Sequence, residues 1–252
     1  MDRLVFTSYS AINEKAVERQ VLVNELANVS TTGFKRSFDV ALRSIKVDGS
    51  GFDTRYQTQA VARDVIDLDP GPVLSSGRPL DVAMNGNTVM GVQSKDGQLA
   101  FTRRGDLRIN AQGTLETGTG ELVRGAAGPL VVPPGFLISI NADGSVYASD
   151  PAQAAAPPAL IGQILLRDAS QTPMTRRSDG LFAPQGQAPG SDFTSGPQVA
   201  SLTPKALEGS NVNAVYAMTR MIDHSRSFES QIRAIKEAKS LDESGATLMK
   251  PA

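Results

Sequence analysis

Leu26-Ala27-Asn28-Val29-Ser30-Thr31-Thr32-Gly33-Phe34-Lys35-Arg36 is the stretch on which the reading of the fold turns. Behind it, apolar residues recur at Val5, Tyr9, Ile12, Ala16, Val23 and Leu26 in steps of four and three, with Arg19 standing where an apolar residue is missing. A stripe at that spacing marks an amphipathic helix that needs a partner along its length. Asn28, Ser30, Thr31 and Thr32 carry side chains that compete with the backbone for hydrogen bonds, and Gly33 offers the left-handed conformation in which helices end. Phe34 is then placed to fold back on the last turn as the apolar contact of a C-cap.

A matching pattern stands at the other end of the chain. Ser210 and Asn211 are N-cap candidates, and Val215, Met218, Ile222, Ser225, Phe228, Ile232 and Ile235 follow at steps of three and four. Lys239 continues the spacing, and Gly245 is the expected stop. Two helices of roughly 25–35 residues would each extend about 40–50 Å, well beyond the ordinary globular helix of about a dozen residues. The expected fold is therefore α+β, with long N- and C-terminal helices pairing as a coiled coil around a central, mostly antiparallel β domain. Narrow stripes opposite charged faces carrying Glu14, Glu18, Glu25, Arg226, Glu229 and Lys236 favour helix-to-helix association over plain core packing.

Composition narrows the function classes. The 252 residues balance 25 Lys+Arg against 26 Asp+Glu, without the basic surplus of a nucleic-acid binder. Aromatics make up 5% with no Trp, a poor supply for stacking bases or sugars. The chain has no Cys, which removes disulfides, thiolate nucleophiles and Cys-ligated metals. The opening Met1-Asp2-Arg3-Leu4-Val5-Phe6 lacks the apolar core of a cleavable secretory signal, and no apolar run is long enough to span a bilayer.

Between the ends the helical period disappears. Residues 34–76 read as an extended connector with short β pieces, broken at Asp48-Gly49-Ser50-Gly51 and Asp69-Pro70-Gly71-Pro72. Residues 77–200 read as a β-rich domain. Lys95-Asp96-Gly97, Asn110-Ala111-Gln112-Gly113 and Asn141-Ala142-Asp143-Gly144 each place a glycine where a tight hairpin needs positive φ. Asp150 to Ala159 and Gln185 to Pro197 are loops, and Leu160 to Leu166 is expected as a buried strand. Residues 1–33 and 201–252 are the helical ends, the latter including a return connector.

The chemistry-bearing residues offer little to an enzyme. There is no Gly-x-Ser-x-Gly elbow, and the lone His224 excludes a two-histidine zinc helix. Gly118-Thr119-Gly120 is a β-turn, because Val123 occupies the third glycine position of a dinucleotide loop. Asp48, Ser50 and Asp53 lack the glycine and distal glutamate of a calcium loop. No catalytic, cofactor or metal residue is assigned. A hydrolase is the weakest class, and a β-rich cell-wall binding module a stronger alternative.

Three segments carry a family resemblance. Asn24 with Leu26, Ala27, Asn28, Thr32, Gly33, Phe34 and Lys35 resembles the N-terminal signature of the bacterial flagellar rod and hook proteins, with Glu25 where a second asparagine is usual. Leu80, Asp81, Val82 and Ala83, followed by Thr102, Arg103 and Gly105, resemble the middle signature, with Asn87-Thr88-Val89-Met90 in place of the usual Gly-Phe-Phe run. Leu207, Glu208, Ser210, Asn211 and Val212 resemble the C-terminal one. Within the family the likeness is closest to the proximal-rod member, with the distal-rod member as alternative.

The resemblance implies a structural subunit of a hollow, torque-transmitting axle, with terminal helices lining the tube and the β region outward. It also implies export through the type III apparatus without a cleaved signal, periplasmic assembly, passage through peptidoglycan, and contact with other copies and other rod proteins. The expected assembly seams are Val5, Tyr9, Ile12, Ala16, Val23 and Leu26 at one end and Val215, Met218, Ile222, Phe228, Ile232 and Ile235 at the other.

Overall fold

A computed structural model describes residues 2–37, 41–46, 56–61, 65–153 and 156–248. The turn read at residues 48–51 and the candidate cation residues Asp48, Ser50 and Asp53 lie outside them. The chain divides into two compact units: Met1–Ala27 with Asp39–Arg63 and Asn213–Ala252, and Asn28–Phe38 with Asp64–Val212.

The first unit holds helix α1 (Asp2–Ala27), an antiparallel pair of strands Ala41–Lys46 and Tyr56–Val61, and helix α2 (Ala214–Leu248). Asn213 starts α2: its Oδ1 accepts from the Tyr216 amide at 3.0 Å, the reach of an N-cap to the third helical residue. Ser210 and Asn211, the expected caps, are used elsewhere, as described below. α2 also runs through Gly245 to Leu248, because a single helical glycine costs only about 1 kcal/mol against alanine.

The expected pairing of two long helices as a coiled coil is overturned. α1 is the shorter, with 26 residues against 35, and the bulky periodic residues of α2 do not form the seam. Val215 is 75% exposed, Met218 52%, Ile222 53% and Phe228 39%, while among the described side chains of α2 the buried ones are Ala217, His224 and Ala238. Two alanines and a histidine, seven and then fourteen residues apart, supply no bulky apolar knob for a facing hole. Polar contacts bring the helices together instead. His224 Nε2 meets the Lys15 carbonyl at 2.6 Å, and Arg220 donates to Glu18 at 2.9 Å while Lys15 holds the same carboxylate at 2.8 Å. Burial alone would raise the Glu18 carboxyl, but Lys15 and Arg220 outweigh it and hold it below its ordinary range.

The second unit is β throughout, all its ladders antiparallel. Its main sheet runs Met174–Arg176, Phe182–Pro184, Leu99–Thr102, Thr88–Gln93, Leu122–Gly125, Leu115–Thr117, Leu107–Ile109, with Leu166–Asp168 and Gly128–Pro129 paired off that path. A three-stranded sheet of Leu137–Ile140, Ser145–Ser149 and Ala159–Gln163 adjoins the same core. The three glycine turns close as hairpins, with Ser94 donating to Gln98 O at 2.9 Å, Asn110 to Thr114 O at 3.0 Å and Asn141 to Ser145 O at 2.9 Å. Gly113 and Gly144, at φ 78° and 84°, occupy the conformation that a Cβ disfavours. Leu160 to Leu166 departs from its expectation: Leu160 lies 61% exposed on the edge strand Ala159–Gln163, Ile161 packs half-buried against the core, and Ile164 and Leu166 are buried in it.

Inward-facing Val82, Met90, Val92, Leu107, Leu115, Val123 and Val146 are fully buried, each worth about 1.5–3 kcal/mol. A second cluster sets Phe101 edge-on to Phe193 at 5.0 Å beside Ile66, Met174 and Phe182. Two pairs of short strands complete the unit: Leu202–Pro204 on Val82–Met84, and Ala206–Glu208 on Val73–Ser75.

Two buried carboxylates tie the stability of this unit to pH. Burial pushes the Glu121 carboxyl up, but the Thr117 and Thr119 hydroxyls outweigh it and hold the group below its usual 4.5. Burial likewise raises Asp168, and the Ser170 hydroxyl with the Gln198 and Ser170 amides overrides it, keeping the group below 3.8. A folded pKa under the unfolded one gives stability that is complete above the unfolded value and is lost as pH falls through the folded one. The thermal midpoint of the β unit should stay level from about pH 7 to pH 5 and decline below about pH 4. Asp168→Asn should flatten part of that decline; an unchanged acid limb would remove Asp168 from the account.

Candidate functional site

Three segments far apart in sequence meet on one buried carboxylate. Glu208 enters on the strand Ala206–Glu208, whose alternation turns Ala206 and Glu208 inward and leaves Leu207 half-buried. Lys35 comes from the stretch after Gly33, and Arg103 follows the strand Leu99–Thr102. All three are 0% exposed, an unusual state for charged residues unless they are paired.

The geometry of pairing is dense. Lys35 Nζ lies 2.6 Å from Glu208 Oε1, and Arg103 grips the same carboxylate in a fork, Nε to Oε2 at 2.8 Å and an η-nitrogen to Oε1 at 2.8 Å. The Gly71 amide adds a bond to Oε1 at 3.0 Å. The remaining guanidinium hydrogens go to the carbonyls of Met84 (2.9 Å), Thr88 (3.2 Å) and Gly86, and Lys35 also donates to Asp69 O at 2.7 Å. All five guanidinium hydrogens of Arg103 are thus paired and Lys35 Nζ has two acceptors, the kind of satisfaction a buried ionic group requires if it is not to destabilise the fold. Two cations face one anion. Burial therefore pushes the Lys35 ammonium below its ordinary 10.5, the like charge of Arg103 adds to this, and Glu208 with Asp67 opposes it.

A second ring surrounds the first. Asn211 Oδ1 accepts from the Arg36 amide at 2.7 Å, and its Nδ2 donates to Asp67 O at 3.0 Å and Asp69 O at 3.3 Å. Arg36 pairs with Asp67 at 2.9 Å, and the Arg176 guanidinium lies 4.4 Å over the Phe34 ring while donating to the Lys35 carbonyl. Ser210 Oγ accepts from the Val212 amide at 3.2 Å.

Gly33 has the positive φ of 67° that the sequence calls for, but for another reason. α1 has already ended at Ala27; the Gly33 amide donates to Glu208 O at 2.8 Å, and a Cβ there would run into the Arg103 carbonyl. Gly33→Ala combines a strained backbone with a clash on main chain that cannot yield. It should destabilise the β unit by about 1–3 kcal/mol, read as a lower urea midpoint; an unchanged midpoint would show that the strand junction relaxes freely.

The signature residues are thereby accounted for unevenly. Gly33, Phe34, Lys35, Arg103, Glu208, Ser210 and Asn211 converge here. Val82, Ala83 and Val212 are buried apolar residues, Thr102 is buried on its strand, and Leu80 and Leu207 are half-buried. Gly105 sits where a Cβ would strike the Val82 carbonyl. Asp81 is fully buried with neither carboxylate oxygen hydrogen-bonded, Arg78 standing off at 3.6 Å. Asn24 and Ala27 are exposed, Leu26, Asn28 and Thr32 partly so, and Asn28 Oδ1 accepts from the Thr31 hydroxyl at 3.2 Å.

The expected seam residues scatter. On α1, Ile12 and Leu26 are half-buried, Ala16 and Val23 exposed, and the side chains of Val5 and Tyr9 lie outside the described ones; among the described side chains of α1, Leu22, not singled out from sequence, is the buried one at 2%. On α2, Ile232 and Ile235 are half-buried, while Val215, Met218, Ile222 and Phe228 form an exposed stripe joined by Tyr216 at 56% and Leu241 at 65%. Among the described residues no helix is long and apolar enough to cross a membrane. The arrangement can brace a scaffold and present an apolar helix face.

Comparison with known proteins agrees with that reading. Residues 203–248 match the family described as flagellar basal body rod FlgEFG protein C-terminal, and residues 83–148 match the flagellar hook protein FlgE/F/G D1 domain. The chain is 35% identical to the flagellar basal-body rod protein FlgF of Escherichia coli (strain K12) over 237 residues, covering 93% of each chain. It is equally similar, at 35% over 238 residues and 93% of each chain, to the FlgF of Salmonella typhimurium. The flagellar basal-body rod protein FlgG of Agrobacterium fabrum is 26% identical over 257 residues, covering 94% of this chain and 95% of its own.

Proposed function

This chain belongs to the family of flagellar basal-body rod proteins, and from that premise we propose that it is a structural subunit of the proximal rod, without catalytic chemistry of its own. The 35% identity to the FlgF of Escherichia coli and of Salmonella typhimurium, against 26% to the FlgG of Agrobacterium fabrum, favours the proximal over the distal position. The observation that carries the assembly mechanism is the exposed apolar stripe of α2, a surface that a solitary subunit leaves in water. Stacked copies and neighbouring rod proteins would cover it through heterologous contacts, which build an open helical array when the rotation does not close. Residues 1–33 and 201–252 supply the assembly ends, including Val5, Tyr9, Ile12, Ala16, Val23 and Leu26 on α1; residues 34–76 connect, and 77–200 form the β-rich body held in register by the Lys35–Arg103–Glu208 knot. The array is a hollow axle that transmits torque, its subunits delivered by type III export, and it traverses the peptidoglycan.

Purified basal bodies test this directly. Cryo-electron microscopy of basal bodies carrying a tagged chain should place the tag in the rod below the distal segment. Density confined to the distal rod would move the subunit to the alternative position, and absence from the rod would end the structural reading.

A further inference from the structure

Among the described side chains of α2 the buried polar one is the His224 imidazole, on a helix that leaves bulky apolar residues in water. A carbonyl oxygen only accepts, so the Nε2 that meets the Lys15 carbonyl at 2.6 Å carries the proton and donates it. The other contact, Arg220 to Glu18 at 2.9 Å, lies one turn away. Four residues back along α2 is three forward along α1, so the helices run antiparallel and both bonds belong to one register. At equal rise, seven residues back from His224 is Ala217 and seven forward from Lys15 is Leu22. These two stand level, a small residue with a large one, and both are 2% exposed.

The neighbouring registers are each closed by one of these residues. Sliding α2 by a heptad to bring Gln231 level with Lys15 sets the imidazole level with Leu22, two bulky groups where alanine now meets leucine. The buried N–H also loses its bond at Lys15. Sliding α2 the other way brings Ser210 level with Leu22, and Ser210 precedes the start of α2 at Ala214, so the leucine loses its cover. A single buried polar group between two helices is a known device for selecting one register at a cost in stability.

We propose that His224 is the positioning residue that fixes α2 against α1 in one register, so that every copy presents its apolar stripe at the same height. The consequence for assembly rests on the rod-subunit reading. The register does not, and it is measured on the dispersed full-length chain, which keeps the two failures apart.

The chain has no Cys, so nitroxides at Gln20→Cys and Ser240→Cys, both exposed positions, report one distance between α1 and α2 by double electron–electron resonance. With His224 in place the distribution should show one peak. His224→Leu has no bond to lose at Lys15 and packs on Leu22, so it should add a second peak about 10 Å shorter, the travel of seven residues. His224→Gln keeps an N–H for the Lys15 carbonyl and should retain the single peak. One unshifted peak for His224→Leu overturns the proposal. A broad distribution without peaks overturns it too, because the imidazole would then be holding the helices together and not choosing among registers. In cells, His224→Leu should build fewer complete basal bodies than His224→Gln. Two registers with unimpaired swimming overturn the consequence for assembly, whereas a native chain absent from rods is the failure of the rod-subunit reading.

Discussion

Glu208→Gln should unfold much of the β unit, although the substitution changes neither shape nor size. Among the described residues the carboxylate is the only anion within bonding distance of both Lys35 and Arg103, each of which is fully buried. Removing one partner of a buried ionic cluster costs about 3–5 kcal/mol, because the other charges remain desolvated. Here two cations would be left facing each other, and the new amide would point donor hydrogens at donors on one side. Domains of this kind have about 5–15 kcal/mol to lose in total. Urea unfolding followed by circular dichroism should show the midpoint falling by a large fraction of its value. Lys35→Met added to Glu208→Gln should restore part of the loss by deleting one of the two stranded cations, a coupling that additive effects would not give. A shift below about 1 kcal/mol for Glu208→Gln would place the knot in the range of exposed ion pairs and strip it of its bracing role.

That knot also marks where the sequence stops being readable. Glu208 and Lys35 lie 173 residues apart, and nothing in the spacing of either announces the other. They surface in the sequence only as members of separate motifs. The hairpin turns, by contrast, are legible because their cause is local: a glycine at positive φ and a bond across a few residues fix each one. Gly33 shows the intermediate case. Its backbone conformation follows from its identity, but the reason for it, the close passage of the Arg103 carbonyl, is tertiary. The same distinction explains the terminal helices. Periodicity locates the apolar stripe on α2, yet period alone does not say which face a helix turns to its own chain. That choice falls to Ala217, His224 and Ala238, which allow close approach and supply a polar contact to the Lys15 carbonyl. Asn213 displaced Ser210 and Asn211 as the cap for a similar reason, since Asn211 is committed to Arg36, Asp67 and Asp69.

Ile222→Asp should leave the monomer folded and abolish rod assembly. Ile222 is 53% exposed, and substitutions at such positions usually change stability by no more than about 0.5 kcal/mol. In an array the same side chain would be covered by a neighbour, where burying an isoleucine contributes about 1.5–3 kcal/mol and burying an unpaired carboxylate reverses the sign. Each subunit in a helical stack both gives and receives the contact, so the penalty recurs at every step and growth stops. Phe228→Asp should behave alike, and Ile232→Asp should cost monomer stability as well because Ile232 is half-buried. Val199→Asp is the control, since Val199 is 90% exposed but belongs to the β unit and not to α2; it should assemble normally. The measurements are circular dichroism of purified variants, electron microscopy of basal bodies and swimming in soft agar. Motile cells with complete rods built from Ile222→Asp would mean that the exposed face of α2 stays in water after assembly, and the contacts between subunits would then have to be sought on the β unit.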